Sequence, residues 1–130
     1  MAAEFPNIRV LLVENDEVSI YVMEKLLSKS FRVVVARNGV EALHLSNKDN
    51  FDVVLLDIEL GHSMDGTEVL EELRKDSLNN DTQIFAITGM ALPEDRDYYM
   101  NLGFDNFFAK PLNHHDLIQT IKETCLIKTY

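Results

Sequence analysis

Apolar residues in this chain of 130 residues cluster in short runs separated by turn residues. The runs occupy residues 8–13, 31–36, 52–56 and 82–88, and a fifth lies within 104–111. Short runs rich in valine, isoleucine and leucine are typical of strands that are buried on both faces. The pattern therefore predicts five buried strands.

A stretch with helical spacing of its apolar residues follows each run. These stretches predict five helices, over residues 15–30, 38–48, 66–76, 93–103 and 113–128. Asp16 or Asn15 is expected to cap the first helix, and a proline and a glycine bracket the fourth. Asp65-Gly66 is expected to form a turn and the start of the third helix.

The same spacing predicts a stripe or an apolar side on four of the helices. The stripe of the first helix comprises Val18, Tyr21, Val22, Lys25 and Leu26, and the apolar side of the third comprises Val69, Leu70 and Leu73. The residues predicted to face inward are Val40 and Leu43 in the second helix, with His44 as a further candidate, and Leu117, Ile118, Ile121 and Cys125 in the fifth.

Consecutive strands begin about 20 to 30 residues apart, which leaves room for a helical crossover and is too long for a hairpin. Right-handed crossovers produce a parallel sheet with helices on both faces. We therefore expect a doubly wound α/β fold. A single domain over residues 1–130 is expected, because no linker, repeat or low-complexity segment interrupts the pattern.

The composition narrows the class of partner. The 46% hydrophobic and 26% charged residues are those of an ordinary soluble globular protein. With 22 acidic residues against 12 Lys and Arg, the formal net charge of -10 disfavours a nucleic-acid partner. The single cysteine excludes an internal disulfide, and the sequence contains no recognisable signal or membrane segment. We expect a cytoplasmic protein that binds neither nucleic acid nor membrane.

Functional residues of an open parallel sheet lie just beyond the carboxyl ends of its strands. The polar residues at those positions are Glu14, Asn15 and Asp16 after the first strand, Asp57 and Glu59 after the third, Thr88 at the end of the fourth and Lys110 after the fifth. Crowded carboxylates repel one another unless a cation joins them, and Mg²⁺ takes carboxylate and phosphate oxygens. A hydroxyl and a lysine suit a phosphoryl group, which an aspartate can accept as an acyl phosphate.

The segments LLVEND, VVLLD, MDG, AIT and AKP occur in this order along the chain. Together they resemble the receiver domain of two-component response regulators over nearly the whole sequence. The resemblance implies a flavodoxin-like (βα)5 sandwich with the strand order 2-1-3-4-5. It also implies Mg²⁺ as cofactor, a histidine kinase or a histidine phosphotransfer protein as phosphodonor, and a downstream protein target.

The resemblance implies that Asp57 is the phosphoacceptor, Thr88 the switch hydroxyl and Lys110 the partner of the phosphoryl group. Such a domain accepts a phosphoryl group and promotes its own phosphotransfer and dephosphorylation, without being a conventional enzyme. Phe107 stands at the aromatic switch position. Phosphorylation would then change the surface formed by the fourth helix, the fifth strand and the fifth helix. Lys110-Pro111 matches a peptide bond that is often cis.

The metal site implied by the resemblance consists of Glu14, Asn15, the Asp57 carboxylate and the backbone carbonyl of Glu59. Asn15 departs from the family, which usually has a second acid there, and predicts weaker Mg²⁺ binding. The Glu59 side chain is left with two roles, holding a metal-bound water or repelling the donor. The loop over 57–66 has one additional residue and no proline, which predicts a mobile loop.

Two other classes of protein remain open at this stage. One is a receiver-like binding module that is not phosphorylated, which Asn15 favours and the retained Asp57, Thr88 and Lys110 oppose. The other is a phosphatase of the haloacid dehalogenase kind, which also uses a strand-end aspartate followed by an acid two residues on. The chain is either a stand-alone regulator or a receiver from a hybrid kinase.

Several polar and aromatic residues are expected to have ordinary structural roles. Asp16 is expected to cap a helix and not to bind a metal. The histidines His62, His114 and His115 are expected on the surface. Tyr98, Tyr99 and Met90 either pack the fourth helix or form a patch for a partner, and the sequence does not separate these two roles.

Overall fold

Strands and helices alternate in the computed structural model, which describes residues 3–59, 64–75, 81–89, 92 and 94–127. The strands are β1 (Phe5–Val13), β2 (Phe31–Ala36), β3 (Val53–Asp57), β4 (Gln83–Thr88) and β5 (Asn106–Ala109). The helices are α1 (Glu17–Leu27), α2 (Gly39–Lys48), α3 (Gly66–Lys75), α4 (Asp95–Leu102) and α5 (His114–Ile127). Asp76, Pro93 and Lys128, which the predicted helices included, lie outside the described residues.

The strands form one parallel sheet in the order β2-β1-β3-β4-β5. Leu55 at the middle of β3 pairs with Leu12 of β1 on one side and with Phe85 of β4 on the other. The predicted strand order and the flavodoxin-like fold are confirmed. The order reverses between β1 and β3, and this switch point is where open α/β sheets hold their ligands.

Alternating residues of β3 belong to two separate hydrophobic clusters, one on each face of the sheet. Val54 and Leu56 pack with Leu70 of α3, whereas Val53 and Leu55 pack with Leu117 of α5. Successive side chains of a strand point to opposite faces, so this division places helices on both sides of the sheet. All five residues of β3, including Asp57, are buried.

The helical stripe that the sequence indicates on α1 is not the side of the helix that faces the core. Val18 and Tyr21 are 72% and 66% exposed, and Val22 is exposed as well. The buried residues are Ile20, Met23 and Leu27. They have helical spacing too, because α1 is apolar over much of its circumference, and contact with the sheet selects one of two possible stripes. Lys25 is also exposed, and Leu26 is half-buried.

The predicted inward face of α2 is confirmed for Leu43, which packs against the core, and is wrong for Val40 and His44. Val40 and His44 are exposed and Leu43 is half-buried, whereas Gly39, Ala42 and Ser46 are buried. A Cβ atom at Gly39 would lie 2.6 Å from Cγ2 of Val69 on α3. Small residues therefore let α2 approach α3 closely, Leu43 and Leu45 pack at the border of the core, and Val40 is left exposed. The residues predicted on the apolar side of α3 are buried, and those predicted to face inward in α5 are buried or half-buried.

Polar caps define the helix ends that the sequence indicated. The Asp16 carboxylate accepts a hydrogen bond from the Ser19 backbone N–H at 2.9 Å and so caps α1. The Asp65 carboxylate accepts one from the Glu68 N–H at 3.0 Å at the start of α3. Gly103 ends α4 with φ of 117°, a left-handed conformation that favours glycine.

Within the described residues, no helix has the length and hydrophobicity that crossing a bilayer requires.

Candidate functional site

Four polar residues predicted from separate segments meet at the carboxyl edge of the sheet. Asp57 and Thr88 are the last residues of β3 and β4, Glu14 follows β1, and Lys110 follows β5. Because β3 lies between β1 and β4, Asp57 occupies the centre of this edge. Glu14, Asp57 and Thr88 are buried, and Lys110 is half-buried.

The Lys110 ammonium joins the two buried carboxylates. Its Nζ atom donates to Oδ2 of Asp57 at 3.0 Å and to Oε1 of Glu14 at 3.2 Å. The other oxygen of Glu14, Oε2, accepts hydrogen bonds from the backbone N–H groups of Asn15 and Asp16, at 3.0 and 3.1 Å. One ammonium thus serves two carboxylates that are almost completely removed from solvent.

The electrostatic consequence differs for the acid and the base. Burial, followed by the neighbouring Glu14, raises the pKa of Asp57 above its ordinary value, despite the opposing hydrogen bonds from Lys110 and from the Glu59 N–H. Burial alone would lower the pKa of Lys110, but its contacts with Asp57 and Glu14 together outweigh burial and raise it. Lys110 is therefore a persistent cation, whereas the charge of Asp57 is incompletely compensated.

The donor set fits a hard divalent cation. Two buried carboxylates share one ammonium, and Mg²⁺ typically takes one or two protein carboxylates together with waters and phosphate oxygens. Among the described residues, however, no cluster of three or more acidic, histidine or cysteine side chains is arranged to hold a metal. Asn15, which follows Glu14 in the chain, carries an amide and no charge, and the Asp16 carboxylate is engaged as the α1 cap.

The Glu59 side chain makes contacts that the sequence did not predict. Its carboxylate accepts hydrogen bonds from the Thr88 hydroxyl and, at 3.4 Å, from the Gly89 backbone N–H. Its own backbone N–H donates to Oδ1 of Asp57 at 3.0 Å. Thr88 is 29 positions away in sequence, so no local pattern reveals the pair. The one feature of the sequence prediction that could have indicated this contact is that β3 and β4 are neighbours in the predicted sheet.

Aromatic residues connect the end of the sheet to α4. The ring of Phe107 in β5 stacks on Tyr99 with centroids 5.5 Å apart and planes 15° apart. Tyr99 also meets Phe104 edge-on at 6.1 Å, while its neighbour Tyr98 is exposed. Tyr99 is thus a packing residue, whereas Tyr98 is exposed and meets Tyr99 edge-on at 5.1 Å, and a partner-facing patch at Tyr98 stays a prediction. Met90 lies outside the described residues.

The loop that follows Asp57 is described only at its two ends. Gly61 and His62 lie outside the described residues, so the predicted mobility of this loop stays a prediction. At the far end, a Cβ atom on Gly66 would lie 2.9 Å from Cα of Ile58, so only glycine fits there. The Lys110-Pro111 peptide bond is cis, as expected.

A largely apolar cavity of about 230 Å³ opens beside the site. Its walls include Val18 and Val22 of α1 and Leu112 after β5, and it reaches Asp57 and Lys110. His114 also lines this cavity and is half-buried, whereas His115 is exposed as predicted. The stripe of α1 that includes Val18 and Val22 therefore lies at the rim of the site.

Comparisons with known proteins agree with this fold. Among solved structures, the receiver domain of the sensor histidine kinase PA1611 from Pseudomonas aeruginosa, with a magnesium ion coordinated in its active site cleft, is 27% identical with a TM-score of 0.80, covering 89% of this chain and 95% of that one. A CheY-like response regulator receiver domain protein from Methanospirillum hungatei is 32% identical with a TM-score of 0.79, covering 89% of this chain and 91% of that one.

Sequence relatives and a family profile point to the same family. A probable transcriptional regulator, ycf29, from Porphyra purpurea is 39% identical over 115 residues, covering 87% of this chain and 54% of that protein. The cell cycle response regulator CtrA from Brucella ovis is 36% identical over 114 residues, covering 87% and 48%. The chain thus spans about half the length of these curated relatives. The profile of the response regulator receiver domain matches residues 10–122, and the chain belongs to this family.

Proposed function

We propose that this receiver domain accepts a phosphoryl group on Asp57 from a phosphohistidine and uses the added charge as a signal. The observation that carries the proposal is the Lys110 ammonium, which lies 3.0 Å from Asp57 and 3.2 Å from Glu14. A buried carboxylate beside a fixed ammonium, with a hydroxyl on the adjacent strand end, is an arrangement suited to a phosphoryl group.

The reaction needs little covalent chemistry from the protein. An Asp57 carboxylate oxygen attacks phosphorus and forms an O–P bond, while the P–N bond of the phosphohistidine breaks and its electron pair stays on the imidazole nitrogen. Lys110 neutralises charge on the transferred oxygens, and the Thr88 hydroxyl donates to one of them. The donor supplies the free energy, so the domain is a phosphoacceptor that assists its own phosphotransfer and is not a conventional enzyme.

Mg²⁺ is the proposed cofactor. Glu14, Asn15, the Asp57 carboxylate and the backbone carbonyl of Glu59 would hold it, and the raised pKa of Asp57 supports a need for further positive charge. When bound, the ion supplies charge that neutralises the phosphoryl oxygens. The receiver domain from Pseudomonas aeruginosa, which holds magnesium in its active site cleft, is a supporting parallel.

The proposed phosphodonor is a histidine kinase or a histidine phosphotransfer protein, acting in the cytoplasm. A donor that brings an imidazole to Asp57 must cover the rim of the site. That rim carries exposed apolar residues of α1, including Val18 and Val22, beside the cavity that reaches Asp57. Exposed apolar surface next to a reactive group favours a protein partner as the donor.

The proposed output surface is formed by α4, β5 and α5, and the proposed partner that binds it is a downstream protein. None of the residues of α4 is buried, whereas each of the other four helices has buried residues. A phosphoryl group would draw the Thr88 hydroxyl to itself and change the packing of Phe107 against Tyr99. Because Phe107 has no hydroxyl, this coupling runs through ring packing, and α4 is the element free to respond.

Incubation with acetyl phosphate, with and without Mg²⁺, tests the function through the intact mass. The expected result is the gain of one phosphoryl group in the wild type with Mg²⁺, and none in Asp57→Asn. Asp97→Asn, an exposed acid on α4, is the matched control and should gain the group normally. No gain in the wild type would favour an unphosphorylated binding module, and steady turnover of an aryl phosphate would favour a phosphatase.

A further inference from the structure

The Glu59 carboxylate occupies the hydrogen-bond donors at the end of β4. The Thr88 hydroxyl donates to Oε1 of Glu59, and the Gly89 N–H points to Oε2 at 3.4 Å. Thr88 and Gly89 are the two residues that come after Ile87 of β4, and Ile87 pairs with Asp57 in the sheet. They therefore lie beside the acceptor, where the oxygens of a group attached to Asp57 would need hydrogen-bond donors.

A carboxylate and a phosphoryl group are alternative acceptors for the same donors. Both are anions with several oxygens, and both form strong hydrogen bonds with hydroxyl and backbone N–H groups. The Thr88 hydroxyl has one proton and can donate it to one acceptor at a time. If a phosphoryl oxygen takes that proton, Glu59 must release it, and two neighbouring anions also repel each other.

We propose that Glu59 is an internal competitor of the phosphoryl group, which holds Thr88 and Gly89 before phosphorylation and is displaced by it. This inference rests on the proposed phosphoacceptor function and adds a regulatory role within the same site. Before phosphorylation, Glu59 keeps the Thr88 hydroxyl satisfied and opposes the arrival of a second anion. Part of the free energy of phosphorylation is then used to move Glu59 away.

The backbone around Glu59 does not depend on its carboxylate. The Ile58 N–H donates to the Ile87 carbonyl at 2.9 Å, and the Gly66 N–H donates to the Ile58 carbonyl at 3.3 Å. These bonds anchor β3 to β4 and to the start of α3 through the main chain alone. A substitution of the Glu59 side chain should therefore leave the fold intact, and its effects report on the site.

The test compares the wild type with Glu59→Ala, Glu59→Gln and a control, Glu71→Ala, which removes an exposed charge from α3. The first measurement is the NMR spectrum of the unphosphorylated proteins. In Glu59→Ala the amide signals of Thr88 and Gly89 should shift, and the Gly89 amide should exchange faster with solvent. Glu71→Ala should leave both signals in place.

The second measurement is the rate of phosphoryl uptake from acetyl phosphate with Mg²⁺. Loss of a competing acceptor should accelerate uptake about fivefold in Glu59→Ala, since one charge-assisted hydrogen bond no longer has to be broken. Glu59→Gln should lie between the wild type and Glu59→Ala, because the amide oxygen still accepts from Thr88 without the charge. Glu71→Ala should match the wild type.

The outcomes separate the two proposals. Uptake by none of the four proteins would contradict the phosphoacceptor function, and the competition falls with it. Uptake at equal rates in the wild type and Glu59→Ala, or unchanged Thr88 and Gly89 signals in Glu59→Ala, would overturn the competition alone. A Glu59→Gln variant as fast as Glu59→Ala would also overturn it, since charge repulsion would then be the whole effect.

Discussion

The amino and carboxyl edges of the sheet both carry carboxylates beside a cationic side chain. The carboxylate at the amino edge has a cation of its own, whereas the two buried carboxylates at the carboxyl edge share one. At the amino edge, Arg74 donates to the carbonyls of Thr82 and Gly103, at 2.8 and 3.0 Å, and to the Asp105 carboxylate at 2.6 Å. Asp105 also accepts from the Ile84 N–H at 2.8 Å. This cation and this anion are satisfied by the protein itself, and they tie α3 to the beginnings of β4 and β5.

The carboxyl edge is left short of positive charge. Lys110 serves both Asp57 and Glu14, and Glu59 adds a third carboxylate nearby. The pKa of Asp57 is raised, mainly by burial, whereas at the amino edge the hydrogen bond from Arg9 lowers the pKa of Asp49. At the amino edge the compensated carboxylates stabilise the fold. At the carboxyl edge the incompletely compensated carboxylates are suited to bind a cation or a phosphoryl group from solution.

The largest expected effect is at the amino edge. Arg74→Ala should lower the free energy of unfolding by about 3 kcal/mol, because Asp105 loses its cation and two carbonyls lose a donor. Urea denaturation measures the loss. Lys75→Ala, which breaks only an exposed pair with Glu72, is the control and should change stability by less than about 0.5 kcal/mol. Equal losses in the two variants would contradict the structural role of the amino edge.

An acid added at the carboxyl edge should improve its affinity for a cation. Asn15→Asp places a further carboxylate next to Glu14 and is expected to tighten Mg²⁺ binding about tenfold, which corresponds to about 1.4 kcal/mol. Isothermal titration of the unphosphorylated protein measures the affinity. Asn47→Asp, on the exposed part of α2, adds the same charge elsewhere and should leave the affinity unchanged. Equal affinities for wild type and Asn15→Asp would show that Asn15 does not limit the site.

The smallest effects are expected when an aspartate is replaced by asparagine at each edge in turn, in two separate variants studied without Mg²⁺. Because the folded pKa of Asp57 is raised, its ionisation opposes folding, and stability declines as pH rises through that pKa. Asp57→Asn should therefore slightly stabilise the protein at neutral pH. The folded pKa of Asp49 is lowered, so its contribution exists above the ordinary carboxyl pKa and is lost as pH falls. Asp49→Asn should slightly destabilise the protein at neutral pH.

Thermal unfolding from acid to neutral pH checks the pair of substitutions. Both differences from the wild type should disappear at a pH well below the ordinary carboxyl pKa of about 3.9, where all three proteins carry a neutral group at the changed position. The sign of the effect at neutral pH is the decisive observation. Two changes of the same sign would mean that the edges do not differ in the way their carboxylates are compensated.

Much of the fold was predictable because strands and helices leave periodic patterns. The second strand has the predicted bounds, while β1 begins three residues earlier than the predicted start at Ile8. Pro6 and Asn7 interrupt the apolar run there, and only pairing with β2 reveals the extension to Phe5. Runs of apolar residues therefore locate strands well and mark their ends less well.

By itself, the sequence determined the order of strands and helices, the parallel sheet and the strand-end positions of Asp57, Thr88 and Lys110, because alternation and crossover length constrain them. Only the tertiary structure decided which stripe of α1 and which small residues of α2 face inward, and that Glu59 reaches Thr88. Periodicity specifies spacing along one element. The choice among equivalent faces and distant partners depends on packing between elements, which no local pattern records.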